Sequence, residues 1–126
     1  MRLVLDSGAL IALDNNDRAM WRRLKAAVRT EEVPITHGGV LGQAWRGGGP
    51  PQALLAKALA GVDVRPLDGG LGRAAGGLLA LAGSTDVIDA ALVLLAEDGD
   101  GIVTSDALDL ERLAELTGSH VELIHV

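Results

Sequence analysis

The sequence predicts an α/β fold, with a mainly parallel sheet of four or five strands flanked by helices. Two observations favour this class. Short apolar runs alternate along the chain with longer segments whose apolar residues recur at helical spacing. Glycine, proline or aspartate stands at almost every junction. Strands separated by helices need crossover connections, which favour parallel pairing. The 126 residues contain no linker or repeat and are predicted to form one domain, 1–126.

Each predicted strand is a short apolar run that stops at a polar or turn-forming residue. The first run stops at Asp6 and is apolar throughout, as expected of a parallel strand buried on both faces. The second contains Pro34, which belongs at a strand end or edge because it donates no hydrogen bond. The strands are predicted over residues 3–5, 33–35, 62–64, 101–104 and 121–124.

The predicted helices rest on capping residues and on apolar residues at helical spacing. Asp17 is suited to cap a helix that carries Trp21, Leu24 and Val28 on one face. Another helix opens at residue 36 or 37 and is broken by the glycines and prolines of 47–51. A short helix is predicted over 9–13, and longer ones over 52–60, 71–81 and 107–116, with a further helix that starts at residue 85 or 86 and runs to 96.

Composition excludes several classes of protein. Without cysteine, the chain cannot form disulfides, thiolate zinc sites or a cysteine nucleophile. No apolar run approaches the ~20 residues that span a bilayer, and no export signal is visible before Asp6, so a cytoplasmic protein without membrane contact is expected. Trp21 and Trp45 are the only aromatic residues, which argues against recognition of bases on an aromatic platform.

Charge is distributed unevenly along the chain. Residues 1–83 hold 10 basic and 7 acidic side chains, whereas residues 84–126 hold 1 basic and 10 acidic ones. The net charge of -6 argues against a general nucleic-acid binder. The pattern is equally typical of solvated surface faces and of an enzyme that gathers carboxylates around a metal and holds phosphates along one basic edge.

Four aspartates are predicted to meet at one edge of the sheet. Asp6 follows the first strand and Asp106 follows the fourth, and ligands of open α/β sheets bind outside the carboxyl ends of the strands. Asp86 and Asp89 are three residues apart at the start of a helix and share a face. Carboxylates in this arrangement suit Mg²⁺ or Mn²⁺.

Each of these acids also has a purely structural interpretation. Asp86 is equally explained as a helix N-cap, and Asp6 and Asp106 as turn residues. Asp109 is expected to be a solvated acid of a first helical turn. Asp89 lies in an apolar helix, where an unpartnered buried carboxylate is costly, and this favours a functional site.

Three segments of the chain resemble the PIN-domain family, and within it the VapC-type toxins of bacterial toxin–antitoxin pairs. These segments are 4–13 (VLDSGALIAL), 86–91 (DVIDAA) and 102–106 (IVTSD), and their order and spacing carry the resemblance. It implies a three-layer PIN-like fold, Mg²⁺- or Mn²⁺-dependent hydrolysis of RNA, a homodimer and an antitoxin partner.

The resemblance also implies roles for individual residues. Asp6 matches the first acid of the family, Asp89 the third and Asp106 the fourth, with Asp86 as an additional charge. Gln43 stands where the family usually has glutamate, and it is equally explained as a solvent-facing helix residue. The resemblance further implies that Ser7, Thr104 and Ser105 support the acidic corner. It also implies phosphate binding by Arg46, Arg18 and Arg22. The alternative for these arginines is that they only keep the surface soluble.

Two other classes stay open at this point. A phosphotransfer or receiver-like domain would need a lysine opposite its acidic pocket, and Lys25 and Lys57 are badly placed for that. A PIN-like interaction module that has lost cleavage is favoured by the neutral Gln43. His37, near a helix start, is expected to be a surface or capping residue, and the glycines at 47–49 lack the lysine of a phosphate-binding loop.

Overall fold

The computed structural model describes residues 1–126 and contains five strands, seven α-helices and one 3₁₀ turn. The turn, Pro50–Gln52, directly precedes the fourth helix. The strands are β1 (Leu3–Leu5), β2 (Ile35–His37), β3 (Asp63–Arg65), β4 (Gly101–Thr104) and β5 (Glu122–His125). The helices are α1 (Ser7–Asp14), α2 (Arg18–Arg29), α3 (Gly38–Ala44), α4 (Ala53–Leu59), α5 (Gly69–Ala82), α6 (Val87–Leu95) and α7 (Ala107–Thr117).

The five strands form one parallel sheet in the order β3-β2-β1-β4-β5. Val4 in β1 pairs with Ile35 on one side and with Ile102 on the other. The chain therefore builds the sheet outward from β1 in both directions, and the order reverses between β1 and β4. A crevice for ligands is expected outside the carboxyl ends of strands at such a reversal. The predicted fold class is confirmed.

Helices cover both faces of the centre of the sheet. Every residue of β1, β2 and β4 is buried, and successive side chains of a strand point to opposite faces. One group of helices packs as α1 against α3 and α4, and α5, α6 and α7 pack against one another as a second group. The core is built from leucine, valine, isoleucine and alanine, with Met20 as its one sulfur-containing member.

Several predicted boundaries are wrong by one or two residues. Strand β2 begins at Ile35, after Pro34, because the backbone of the strand must donate hydrogen bonds that proline lacks. Helix α5 is longer than predicted because Asp68 caps it by accepting the backbone N–H of Leu71. Its glycines are tolerated within a helix whose buried face packs into the core.

No single helix is long and apolar enough to cross a membrane. Helices α5 and α6 meet that condition only when they are taken together, and they are bent by 109° at their junction.

We predict that Gly8→Ala destabilises the protein by about 1–3 kcal/mol, because a side chain there would overpack the junction of α1 with the end of β4. A Cβ atom at Gly8 would lie 2.5 Å from Ser105 Oγ and 3.0 Å from the Ser105 backbone nitrogen. The matched control is Gly76→Ala in α5, where a Cβ would meet nothing within 4 Å and where alanine is the better helix former. Chemical denaturation measures both, and equal effects of the two substitutions would show that the close approach at Gly8 is absent.

Candidate functional site

The carboxylate of Asp6 lies where β1 ends and α1 begins. Its backbone N–H continues the sheet ladder to the Val103 carbonyl at 3.0 Å, and its side chain then caps α1 by accepting the N–H of Ser7 at 2.7 Å. Only 5% of Asp6 is exposed, and no cationic side chain pairs with it. Asp6 is therefore both the predicted turn residue and a buried carboxylate at the crevice between β1 and β4.

The hydroxyl of Thr104 joins Asp6 to the end of β4. It donates to Asp6 Oδ2 at 2.7 Å and accepts the backbone N–H of Asp106 at 2.9 Å. Thr104 is fully buried, and Ser105 packs against Gly8 in the first turn of α1. These contacts place Thr104 and Ser105 beside Asp6 and Asp106, the acids for which the family resemblance implies their support.

The second pair of acids is carried by the start of α6. Asp86 is the N-cap, and its Oδ1 accepts the backbone N–H of Asp89 at 3.0 Å. Asp86 is exposed, whereas Asp89 is half-buried. The interpretation of Asp86 as a helix N-cap is thus correct. The capping bond uses only one of its two carboxylate oxygens, so the other oxygen stays available for a functional role.

His37 connects the end of β2 to this turn of α6. Its Nδ1 accepts the N–H of Gly39 at 3.1 Å, so its protonated Nε2 donates to the Ile88 carbonyl at 2.9 Å. Of the two expected roles, surface residue or capping residue, the structure shows the capping one, and His37 is fully buried. The burial arises because α6 packs over the end of β2, a contact that no local sequence signal predicts.

The acids of the two strand ends and of α6 influence one another electrostatically. Partial burial, followed by the negative charges of Asp86, Asp6 and Asp106, raises the pKa of Asp89 to about 7. Hydrogen bonding to the carboxyl of Asp109 is the main cause that raises the pKa of Asp106. The four predicted acids therefore share one rim of the molecule, and Asp109 adds a fifth carboxyl to it.

A small cleft of about 180 Å³ opens beside this rim, between α6 and α7. Asp86, Asp89, Asp109 and Arg112 line it together with Ser84 and several apolar residues. Arg112 is the single basic residue of the acidic stretch 84–126, and sequence analysis did not assign it to the site. Its position three residues after Asp109 on one helix was the signal that could have placed it there.

The acids suit a hard cation by their chemistry, although their side chains do not form a closed ligand set. All donors at the rim are carboxylate or hydroxyl oxygens, which are the ligands that Mg²⁺ and Mn²⁺ prefer. As the side chains stand, no group of three or more Asp, Glu or His is arranged to hold an ion. Binding would require side-chain rotation, or waters between some of the carboxylates and the ion.

The other predicted site residues differ in how close they lie to the acids. Ser7 follows Asp6 directly, but Gln43 is exposed on α3 and forms no hydrogen bond with any of the acids. The guanidinium of Arg46 donates to the Gly42 and Trp45 carbonyls at the end of α3. Arg18 and Arg22 line a different groove, which shares no residue with the acidic cleft.

Comparison with known proteins supports the fold through a structural match, whereas comparison by sequence finds no match. No protein-family model matches the chain, and no curated protein matches it. A solved structure does match, the crystal structure of VapBC2 from Rickettsia felis bound to a DNA fragment from their promoter. The two chains share a TM-score of 0.69 over 98% of each, at 13% sequence identity. This chain therefore has the fold of a VapBC2 chain along its whole length.

We predict that Thr104→Val destabilises the protein by about 2–3 kcal/mol, because it leaves a buried carboxylate oxygen and a backbone N–H without partners. Thr36→Val is the matched control, since the buried Thr36 hydroxyl makes a single bond, to the Leu5 carbonyl at 2.7 Å. Urea denaturation of both variants measures the difference. A smaller loss for Thr104→Val than for Thr36→Val would contradict the role given to the Thr104 hydroxyl.

We also predict a pH dependence of stability that is specific to Asp89. Its pKa rises from 3.8 to about 7 on folding, so the folded protein binds this proton more tightly than the unfolded chain does. The stabilisation is complete below pH 4 and is lost as the pH rises through 7. Because Asp89 is half-exposed, solvent screening limits the loss to about 1–2 kcal/mol. Unfolding free energies of wild type and Asp89→Asn should therefore diverge between pH 4 and 7, and parallel curves would contradict the raised pKa.

Proposed function

We propose that this protein is a metal-dependent endoribonuclease of the PIN type and the toxin of a type II toxin–antitoxin pair. The observation that carries the proposal is the gathering of aspartates from three separate chain segments at the reversal point of the sheet. A structural role alone does not account for so many carboxylates at one rim, because they repel one another and none of them forms an ion pair with a basic side chain. The fold shared with a VapBC2 chain supports the same proposal.

The residues that would hold Mg²⁺ or Mn²⁺ are Asp6, Asp89 and Asp106, with Asp86 at the edge of the cluster. When bound, such an ion lowers the pKa of a coordinated water and stabilises the charge that develops on a phosphodiester in the transition state. Thr104 fixes the direction of the Asp6 carboxylate, and the Asp86 cap fixes the start of the helix that carries Asp89.

RNA would approach the rim through its phosphates. Ser7 is adjacent to Asp6 and offers a hydroxyl, and Arg112 lies beside Asp86 and Asp89 in the cleft. Arg46, at the end of α3, remains a candidate for phosphate binding because its guanidinium is exposed. We also propose that the protein acts in the cytoplasm, where it would meet an RNA substrate.

An antitoxin and a second copy of the chain are the proposed protein partners. The support for the antitoxin is the fold neighbour, which was solved as a VapBC2 assembly. The homodimer rests on the family resemblance alone.

A non-cleaving interaction module with the same fold is the second candidate. Two observations favour it, namely the neutral Gln43 at the position of the usual second acid and the absence of a closed ligand set in the present side-chain arrangement. A direct assay of metal binding and RNA cleavage separates the two candidates.

We predict that the wild-type protein binds Mn²⁺ and cleaves RNA only in the presence of the ion, and that Asp6→Asn abolishes both. Asparagine caps helices as well as aspartate does, so its single oxygen can keep the cap of α1. The substitution removes the charge together with the oxygen that accepts the Thr104 hydroxyl. The matched control is Asp63→Asn, which neutralises an exposed acid paired with Arg65 on β3. Calorimetric titration measures the binding, and a labelled RNA pool measures cleavage.

In the same assay, Gln43→Glu should tighten metal binding and raise the cleavage rate, whereas Gln43→Ala should do neither. A glutamate adds the negative charge that a cation favours. An unchanged affinity of Gln43→Glu would mean that position 43 does not face the site. A folded wild type that neither binds the ion nor cuts RNA would favour the interaction module.

A further inference from the structure

A basic groove of about 360 Å³ lies between α2 and α4. Four of its seven lining residues are cationic and none is acidic, although the protein carries a net charge of -6. Both lysines of the chain are among them. The residues that define this α2–α4 basic groove are Asn16, Arg18, Trp21, Arg22, Lys25, Leu54 and Lys57.

The four cationic side chains line the groove from two helices that face each other. Arg18, Arg22 and Lys25 follow one another at helical spacing on a single face of α2, over a length of about 10 Å. Lys57 faces them from α4, with its Nζ 5.9 Å from the centre of the Trp21 ring. None of the four forms an ion pair with a carboxylate of the chain. No ion pair within the protein therefore offsets their mutual repulsion, and an anion with several charges would relieve it.

The groove suits phosphates better than bases or an acidic protein segment. The indole N–H of Trp21 already donates to the Leu13 carbonyl at 3.0 Å, Lys57 lies over one face of the ring, and the ring is partly buried against the core, so Trp21 is poorly placed for stacking a base. Trp21 and Leu54 are the only apolar lining residues, whereas protein interfaces have an apolar core. Exposed arginine and lysine side chains without aromatic platforms contact nucleic acids through the backbone.

The groove is separate from the acidic rim. Asp6 caps the first turn of α1, and the groove begins beyond the other end of that helix, at Asn16 and Arg18. An eight-residue helix rises about 12 Å. A phosphate bound at the Asn16 and Arg18 end of the groove is therefore too far from Asp6 to be the one that reacts.

We propose that the α2–α4 basic groove is an accessory site that binds the phosphate backbone of a nucleic acid without regard to base sequence. It would hold a distant part of the same strand whose reacting phosphate lies at the acidic rim. The assignment of that strand as RNA rests on the proposed function, whereas the phosphate chemistry of the groove does not.

The test measures binding of a fluorescent 12-nucleotide oligouridylate to the wild-type protein in EDTA, between 50 and 200 mM KCl. The double variant Arg22→Gln/Lys57→Gln should bind at least about 10-fold more weakly at the lowest salt concentration. Its dependence of log affinity on log salt should be shallower by about 1.4, since each phosphate contact on a single strand contributes about 0.7. The matched control is Arg23→Gln/Arg73→Gln, which removes the same charge from residues outside the groove and should change both quantities little.

Equal effects of the two double variants would overturn the proposal, because binding would then depend on overall charge alone. Competition by polyglutamate as strong as that by unlabelled oligouridylate, at equal charge, would also overturn it in favour of an acidic protein partner. Binding in EDTA is independent of cleavage. If the groove variants lose affinity while the wild type cuts no RNA under any metal condition, the groove is still a phosphate-binding site and the nuclease proposal fails.

Discussion

The hydroxyl of Thr104 is the contact on which the arrangement of the site depends. It bonds the Asp6 carboxylate on one strand and the Asp106 backbone on the next, so that two strand ends from distant parts of the chain hold their acids in a fixed relation. Parallel pairing of β1 with β4 brings these ends side by side, and the reversal of strand order leaves the space beyond them open. The position of the acids at the strand ends is therefore a consequence of sheet topology. The hydrogen bond from the Thr104 hydroxyl then fixes the orientation of the Asp6 carboxylate.

Helix α6 completes the rim, and its start is held from two sides. Asp86 caps it from within, and His37 binds the Ile88 carbonyl from the end of β2. Asp89 is consequently kept half-buried and close to like charges, which its raised pKa reflects. Such a site costs stability in the absence of a cation, as is common where function places groups that the fold alone would avoid.

The order of the elements and the strand-end acids could be predicted from the sequence because they depend on local signals, namely apolar runs, capping residues and the carboxyl ends of parallel strands. The burial of His37 and the place of Arg112 could not, because each depends on which helix packs across a strand end. Arg18 and Arg22, for which the family resemblance implies phosphate binding, line a groove beyond the far end of α1 from Asp6, and this placement also depends on how the helices pack. Pro34 signals a strand boundary. Whether the proline lies inside or outside the strand is decided by hydrogen bonding within the sheet, and here it lies just outside.

We propose that Asp6, Asp89 and Asp106 share a single cation. Paramagnetic broadening by Mn²⁺ in amide-resolved NMR spectra tests it most directly, since the effect falls steeply with distance from the ion. At low occupancy, the amides of Ser7, Asp89 and Asp106 should broaden together and ahead of all others, and they should stay sharp in Asp6→Asn. Broadening that begins instead around Asp98 and Asp100, or that spreads evenly over the acidic stretch 84–126, would contradict a shared metal site at the rim.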